Sequence, residues 1–388
     1  MKKAVQFGAG SIGRGFIGQL FSRSGYEVVF VDVDARLVEA LNVDRRYPLR
    51  VVGESGDSET FVERVRAVNG ADGQAVAREL ADAEVAGTAV GAAALAKIAP
   101  VVAAGLELRW KSEILAPLDF ILCENMVDAD SRFRGLVADR LDAGGRERFN
   151  RLAGFVRASV GRMVPVMTDE MREGNPLRVW AEAYDRLQVD AAAFAGRVPN
   201  IVNMEPTSPF EPCLQRKLYI HNMGHAAVAY LGALRGYRYI WEAVGDPEVA
   251  LAARGAMRQS AQAIALDRGV EAGPLLMHVD ELLERFANRK LGDTIERVGR
   301  DLPRKLAPRD RLVGALRLCA KHGLPYGGIA RALAAALRFD DASSGSVRER
   351  IEAEGPRAAL RFFCGLEPSG PEAAAVLASY EEMRPYNA

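Results

Sequence analysis

A chain of 388 residues is longer than one ordinary hydrophobic core supports, and 49% hydrophobic with 26% charged residues is the balance of a folded protein rather than a disordered one. Lys plus Arg and Asp plus Glu both number 51, so no global field recruits nucleic acid or an anionic membrane, and any basic site must be local. Cys123, Cys213, Cys319 and Cys364 form no C-x-x-C pair, which argues against a zinc cluster or a disulfide framework, and no apolar run reaches the length of a membrane span.

The chain opens with Lys3-Ala4-Val5-Gln6-Phe7, a hydrophobic strand that runs into Gly8-Ala9-Gly10-Ser11-Ile12-Gly13. In this G-x-G-x-x-G pattern Gly8 allows a tight turn, Gly10 lets the backbone approach a pyrophosphate, and Gly13 lets the next helix pack on the strand. A helix starting near Ser11 would present unpaired N–H groups and a positive dipole end to phosphates. Gly25 stops that helix, and Val28 to Val31 form a second buried strand ending at Asp32. There its carboxylate can accept from the adenosine ribose hydroxyls and repel a 2′-phosphate, so NAD is expected over NADP.

Beyond Asp32 the pattern predicts a helix over 35–42, strands over 47–52 and 60–68, a helix over 74–83 and a strand over 85–90 closed by Gly91. A helix over 95–104, a strand over 119–123 ending at Glu124-Asn125, and a helix over 129–141 follow. Residues 154–167 and 177–183 read as two more strands that extend the sheet, separated by the turn signal Gly174-Asn175-Pro176. The expected fold for residues 1–190 is a Rossmann-type α/β dinucleotide-binding domain with an extended sheet. Its ligand rim lies beyond the strands' carboxyl ends, at Gly8 to Gly13, Asp32, residues 88–91 with Val90 and Gly91, and Glu124-Asn125.

From residue 191 the texture turns to alanine-, leucine- and arginine-rich helical windows over 213–234, 247–268, 273–287, 291–300, 309–322, 328–338, 346–354 and 370–383. Residues 191–388 are therefore expected to form a mainly α-helical second domain, with the ligand in the interdomain cleft. The first window carries Lys217-Leu218-Tyr219-Ile220-His221-Asn222-Met223-Gly224-His225. Read as an α-helix, it sets Lys217, His221, Asn222 and His225 along one polar stripe, flanked by apolar residues that demand partners for it. Spacing alone leaves open whether that stripe is a site or a solvated face.

Lys217-x4-Asn222-x2-His225 is similar to the K-x4-N-x2-H signature of the polyol-specific long-chain dehydrogenases, the mannitol dehydrogenase superfamily. The sugar-phosphate branch is resembled most. The quoted pattern includes Phe7-Gly8-Ala9-Gly10, Gly13-Arg14-Gly15-Phe16-Ile17-Gly18, Val52-Gly53-Glu54, Thr88-Ala89-Val90-Gly91, Cys123-Glu124-Asn125-Met126, Glu296-Arg297-Val298-Gly299-Arg300 and Arg304-Lys305-Leu306. It spans nearly the whole chain. Two departures are Arg289 after Asn288, where proline is usual, and Gly87 before Thr88, where a bulkier residue is common.

The resemblance implies a metal-independent, NAD-dependent oxidation of D-mannitol 1-phosphate to D-fructose 6-phosphate. It makes Lys217 the acid/base, Asn222 and Asn125 donors to the reacting oxygen, and His225 the residue that orients a hydroxyl and holds Lys217. A substrate phosphate calls for local basic groups, and Arg300 and Lys305 are the first candidates in the run Arg297, Arg300, Arg304, Lys305, Arg309, Arg311. The alternatives are an unphosphorylated hexitol, a hexuronate, or an NAD-binding redox sensor without turnover. A small-molecule substrate, a monomer and a cytoplasmic location are expected, with neither nucleic acid nor membrane as partner.

Overall fold

β1 (Lys3–Phe7) lies in the middle of the principal sheet, and every one of its side chains from Ala4 to Phe7 is buried, because helices cover both faces of a parallel sheet. The computed structural model describes residues 2–53, 56–126, 128–340 and 344–383; Glu54 of the family pattern lies outside them. The other strands are β2 (Glu27–Asp32), β3 (Arg46–Val52), β4 (Ser58–Glu63), β5 (Val65–Asn69), β6 (Val85–Thr88), β7 (Leu118–Leu122), β8 (Ala153–Val160), β9 (Val179–Glu182), β10 (Leu187–Asp190) and β11 (Met204–Thr207). Eight form one sheet in the order β11-β10-β8-β7-β6-β1-β2-β5, and three form a second in the order β4-β3-β9.

Pairing is parallel from β5 through β8, and β10 turns antiparallel against β8. The chain leaves β1 toward β2 on one side and returns to β6 on the other, and that reversal opens a crevice at the carboxyl ends of β1 and β6. Period-two alternation divides the core. Ala4, Val28 and Phe30 pack with Phe16, Leu20 and Tyr47 on one face, while Val5, Phe7 and Val29 pack with Leu106, Phe120 and Phe155 on the other.

Three expectations change. The single strand over 60–68 is two strands in two sheets, because Arg64 takes the left-handed conformation at φ +57° and turns the chain from β4 into β5. Residues 177–183 supply β9, which joins the small sheet against β3 instead of extending the large one. The large sheet is extended by β8 and then by β10 and β11, whose pairing carries the first compact unit to Phe210 rather than Asp190.

The second unit, Glu211–Ala388, is helical. Helix Met223–Ala233 is buried almost all round, packed by Pro247–Arg268, Gly327–Leu337 and Ile295–Gly299. Close approach depends on small residues, for a Cβ on Gly224 would sit 2.4 Å from the Met257 sulfur. Helix Pro247–Arg268 starts where Asp246 accepts from the Glu248 and Val249 N–H groups and ends at Gly269, with φ +62°.

Candidate active site

The glycine turn is built as its spacing demands. Gly8 has φ +88°, and a Cβ there would lie 2.4 Å from the Ala89 carbonyl oxygen; one on Gly13 would lie 1.9 Å from the Gly8 oxygen. A Cβ on Gly10 meets nothing within 4 Å. Gly10 and Ser11 are exposed and Ile12 half-buried, while Gly13 is buried, so the first-turn N–H groups of Ser11 and Ile12, which have no acceptor within the helix, lie at the open end of the turn. Residues Gly13–Ile17 are π-helical, with the Gly18 N–H donating to the Gly13 carbonyl.

Asp32 sits at the end of β2 with one carboxylate oxygen accepting from the Ala9 N–H at 2.7 Å and the other from the Asp34 N–H at 3.1 Å. It thus braces the turn and keeps lone pairs for further donors. These features fit a dinucleotide: open backbone at Gly10, unpaired donors at a helix start, and a carboxylate at the adjacent strand end.

The neighbouring rim is held by Glu124, a residue that sequence reasoning left without a role. Its buried carboxylate accepts from the Val90 N–H at 3.0 Å and the Gly91 N–H at 2.7 Å, clamping the segment after β6 to the end of β7. Val90 and Gly91, expected as cofactor contacts, therefore have their N–H groups committed to that carboxylate. Asn125 follows, exposed. Gly87, one of the departures, makes room for the buried Gln6 side chain, whose Oε1 a Cβ would approach to 2.3 Å.

In the second unit the K-x4-N-x2-H segment is not a plain α-helix. Arg216–Asn222 is π-helical, the Met223 N–H reaching back five residues to the Leu218 carbonyl, and α geometry resumes at Met223–Ala233. The α register expected from four-residue steps is widened across Arg216–Asn222, which reduces the angular offset between Lys217 and Asn222 relative to a plain α-helix, where residues five apart point well away from each other. His221 is 3% exposed with its ring 5.8 Å from Phe286, the ring on which His225 also packs, so these two histidines share a face as their four-residue spacing expects. Among the described residues the two π-helical segments are the glycine turn and this one.

His225 stacks on Phe286 at 4.6 Å with an 11° interplanar angle, and its Nε2 lies 3.2 Å from Oδ2 of buried Asp293. The other Asp293 oxygen accepts from Nε of Arg297 at 2.5 Å. Burial lowers the pKa of His225, and Asp293 only partly offsets it; burial raises that of Asp293, but His225 and Arg297 outweigh it and hold the carboxyl below its usual range. His221 is pushed far down by burial and then by Lys217 and Arg285, and His278 to about 3 by burial and then by Arg216, Arg285 and Lys217. All three imidazoles are neutral at pH 7, in a neighbourhood whose cations are Lys217, Arg216 and Arg285. No sequence signal paired Asp293 with His225, since they meet only through tertiary packing.

The basic run is mostly spent. Arg297 is held by Asp293, Arg304 by Asp301 and Asp310, and Arg311 by Asp310. Lys305, expected to bind phosphate, is 5% exposed, and its Nζ donates to the carbonyls of Val298 and Arg300 at 2.5 Å each. That corrects its role to bracing the end of helix Ile295–Gly299, with burial and then Arg311 and Arg304 lowering its pKa to about 7. Arg300, at the C-cap of the same helix, is exposed. Pro303 lies in the first turn of the short helix Leu302–Lys305, where its missing N–H leaves no helical bond unmade.

Two family models match, the mannitol dehydrogenase Rossmann domain over residues 2–203 and the mannitol dehydrogenase C-terminal domain over 209–357. The chain belongs to the mannitol dehydrogenase family. Among solved structures it resembles the Pseudomonas fluorescens mannitol 2-dehydrogenase ternary complex with NAD and D-mannitol, at 17% identity and a TM-score of 0.79 over 99% of this chain and 92% of that one. It also resembles a D-sorbitol dehydrogenase in substrate-free form, at 16% identity and a TM-score of 0.81 over 98% and 93%. Both likenesses establish the shared fold.

Proposed function

We propose that this member of the mannitol dehydrogenase family is a mannitol-1-phosphate 5-dehydrogenase, interconverting D-mannitol 1-phosphate and D-fructose 6-phosphate with NAD. What supports the reading is the K-x4-N-x2-H segment, carried on a helical turn that passes from π to α geometry, in a family member whose first unit has an open glycine turn and a strand-end Asp32. When bound, the dinucleotide supplies the hydride acceptor or donor. Lys217 takes the hydroxyl proton in oxidation and returns it in reduction. Asn222 and Asn125 donate hydrogen bonds to the reacting oxygen, where charge develops. His225, neutral and stacked on Phe286, orients a neighbouring hydroxyl, and Arg300 is the first basic group for the phosphate.

The NAD preference rests on Asp32, whose carboxylate oxygens suit a ribose diol and oppose a 2′-phosphate. A second reading, an unphosphorylated hexitol as substrate, is favoured by the two solved structures it resembles, a mannitol 2-dehydrogenase and a D-sorbitol dehydrogenase. Steady-state reduction of fructose 6-phosphate and of fructose, each with NADH and with NADPH, separates them. Turnover of fructose 6-phosphate with NADH in preference to the other three pairs is expected. Equal or greater turnover of fructose would transfer the assignment to the hexitol.

A further inference from the structure

Asp293 bridges two groups at once. One oxygen faces Nε2 of His225 at 3.2 Å, the other takes Nε of Arg297, and the carboxylate is 6% exposed, too buried for water to replace either partner. Its backbone is separately anchored, since the Asp293 carbonyl accepts from the Ile240 N–H at 2.9 Å. The side chain is therefore not needed to hold the segment in place. The imidazole it meets is clamped on its flat face by Phe286, so the ring has one remaining freedom, which nitrogen bears the proton.

We infer that Asp293 is the positioning residue of the catalytic helix: it fixes His225 as the Nε2–H tautomer and leaves Nδ1 as a bare acceptor for a substrate hydroxyl. This rests on the dehydrogenase reading for the hydroxyl, but the tautomer itself does not. The 3.2 Å approach is not aligned as a full hydrogen bond, but a carboxylate presents only lone pairs, so a neutral imidazole there avoids lone-pair repulsion by carrying its proton on Nε2, and Nδ1 is then unprotonated. Arg297 keeps the carboxylate ionised, and so keeps it from becoming a donor that would reverse the tautomer. The charged and titratable groups around the imidazole are Lys217 and His221 on its own helical segment, Arg285 and His278 on helix Ala272–Phe286, and Asp293 and Arg297 on the segment that follows. Of these Asp293 is the one anion, so its removal takes away the one group that favours the protonated ring.

Asp293→Asn tests this, because an amide fills the same space and can donate to Nε2. Imidazole nitrogen chemical shifts of uniformly 15N-labelled protein, with His225 identified by its loss in His225→Gln, should show a protonated Nε2 and bare Nδ1 in the wild type and the reverse in Asp293→Asn. In the fructose 6-phosphate assay kcat should fall roughly 10–100-fold with NADH affinity unchanged. Any acid limb of kcat/KM that disappears in His225→Gln should move to lower pH. Asp293→Glu should recover part of kcat if carboxylate positioning is the cause. Wild-type protein with a protonated Nδ1, or Asp293→Asn with the wild-type nitrogen pattern and kcat, would overturn the proposal. If wild-type protein turns over no sugar phosphate, the functional reading fails while the nitrogen shifts still decide the tautomer.

Discussion

The two π-helical segments make an instructive pair, for they solve opposite problems with the same backbone device. Gly13–Ile17 is buried throughout and shaped by what cannot fit: a side chain on Gly13 would strike the Gly8 carbonyl, and one on Gly18 would come within 2.5 Å of the Phe30 ring. Arg216–Asn222 is shaped by what must be presented, since its two fully buried residues are Ile220 and His221, and Lys217 and Asn222 stay half-buried. In the first, the wide turn settles a helix on a strand so that open N–H groups face outward. In the second it widens the turn that carries Lys217 and Asn222. A π turn inside an α-helix spends hydrogen-bond quality, and here both instances lie at candidate functional positions.

The largest expected effect separates these two roles. Lys217→Ala should lower kcat for fructose 6-phosphate reduction by roughly 10²–10⁴-fold, the usual contribution of a positioned acid/base group. NADH binding, followed by fluorescence titration, should be unchanged, because the dinucleotide features reside in the glycine-turn segment. Full activity in this variant would remove Lys217 from the chemistry. Loss of both activity and NADH affinity would deny the functional independence of the two π segments.

A second contrast is one of acid tolerance. All four histidines, His221, His225, His278 and His322, belong to the helical unit, and three have pKa values depressed chiefly by burial. A histidine that stays neutral when folded but protonates when unfolded, near pH 6.5, makes unfolding take up a proton. Its contribution to stability is full above pH 6.5 and declines as pH falls toward the folded value, which for His278 is about 3. Each such ring should cost about 1.4 kcal/mol per pH unit within that window. Amide hydrogen exchange between pH 6.5 and 5 should therefore show protection in Glu211–Ala388 declining more steeply than in Met1–Phe210. Parallel decline in both units would mean that the imidazoles titrate while folded.

Much of the first unit was legible because its determinants are local. Strand, glycine turn, helix and Asp32 follow one another within a few residues, and each glycine's task can be stated from its place in the motif. What escaped was set by distant partners. Nothing near Arg64 announces that the chain changes sheets there; its left-handed backbone is stabilised by the two sheets it joins and by its guanidinium on the Ser22 carbonyl. Lys305 looked like its exposed neighbour Arg300 in a basic run, yet one turns inward to brace carbonyls. Glu124 and Asp293 each act on a residue more than thirty or sixty positions away, a pairing that composition and periodicity do not encode. The π register lies between these cases: the five-then-three spacing of Lys217, Asn222 and His225 is visible in the sequence, but the π turn over Arg216–Asn222 that carries it is not.

The smallest effects sharpen the argument within the glycine turn itself, by separating a glycine required by the protein from one required by a ligand. Gly13→Ala places a methyl 1.9 Å from a backbone oxygen that cannot move without disturbing Gly8, so the fold should lose roughly 1–3 kcal/mol, read as a lowered urea midpoint. Gly10→Ala meets no atom within 4 Å and needs no left-handed backbone, so stability should be unchanged or rise by about 0.4–1 kcal/mol through the less flexible unfolded chain. NADH affinity should nevertheless fall in Gly10→Ala, because the added methyl occupies the surface a pyrophosphate must approach. A stable Gly10→Ala protein that binds NADH as tightly as the wild type would show that the openness at Gly10 is not the phosphate's approach, and would move the dinucleotide's contact to the Ser11 and Ile12 donors alone.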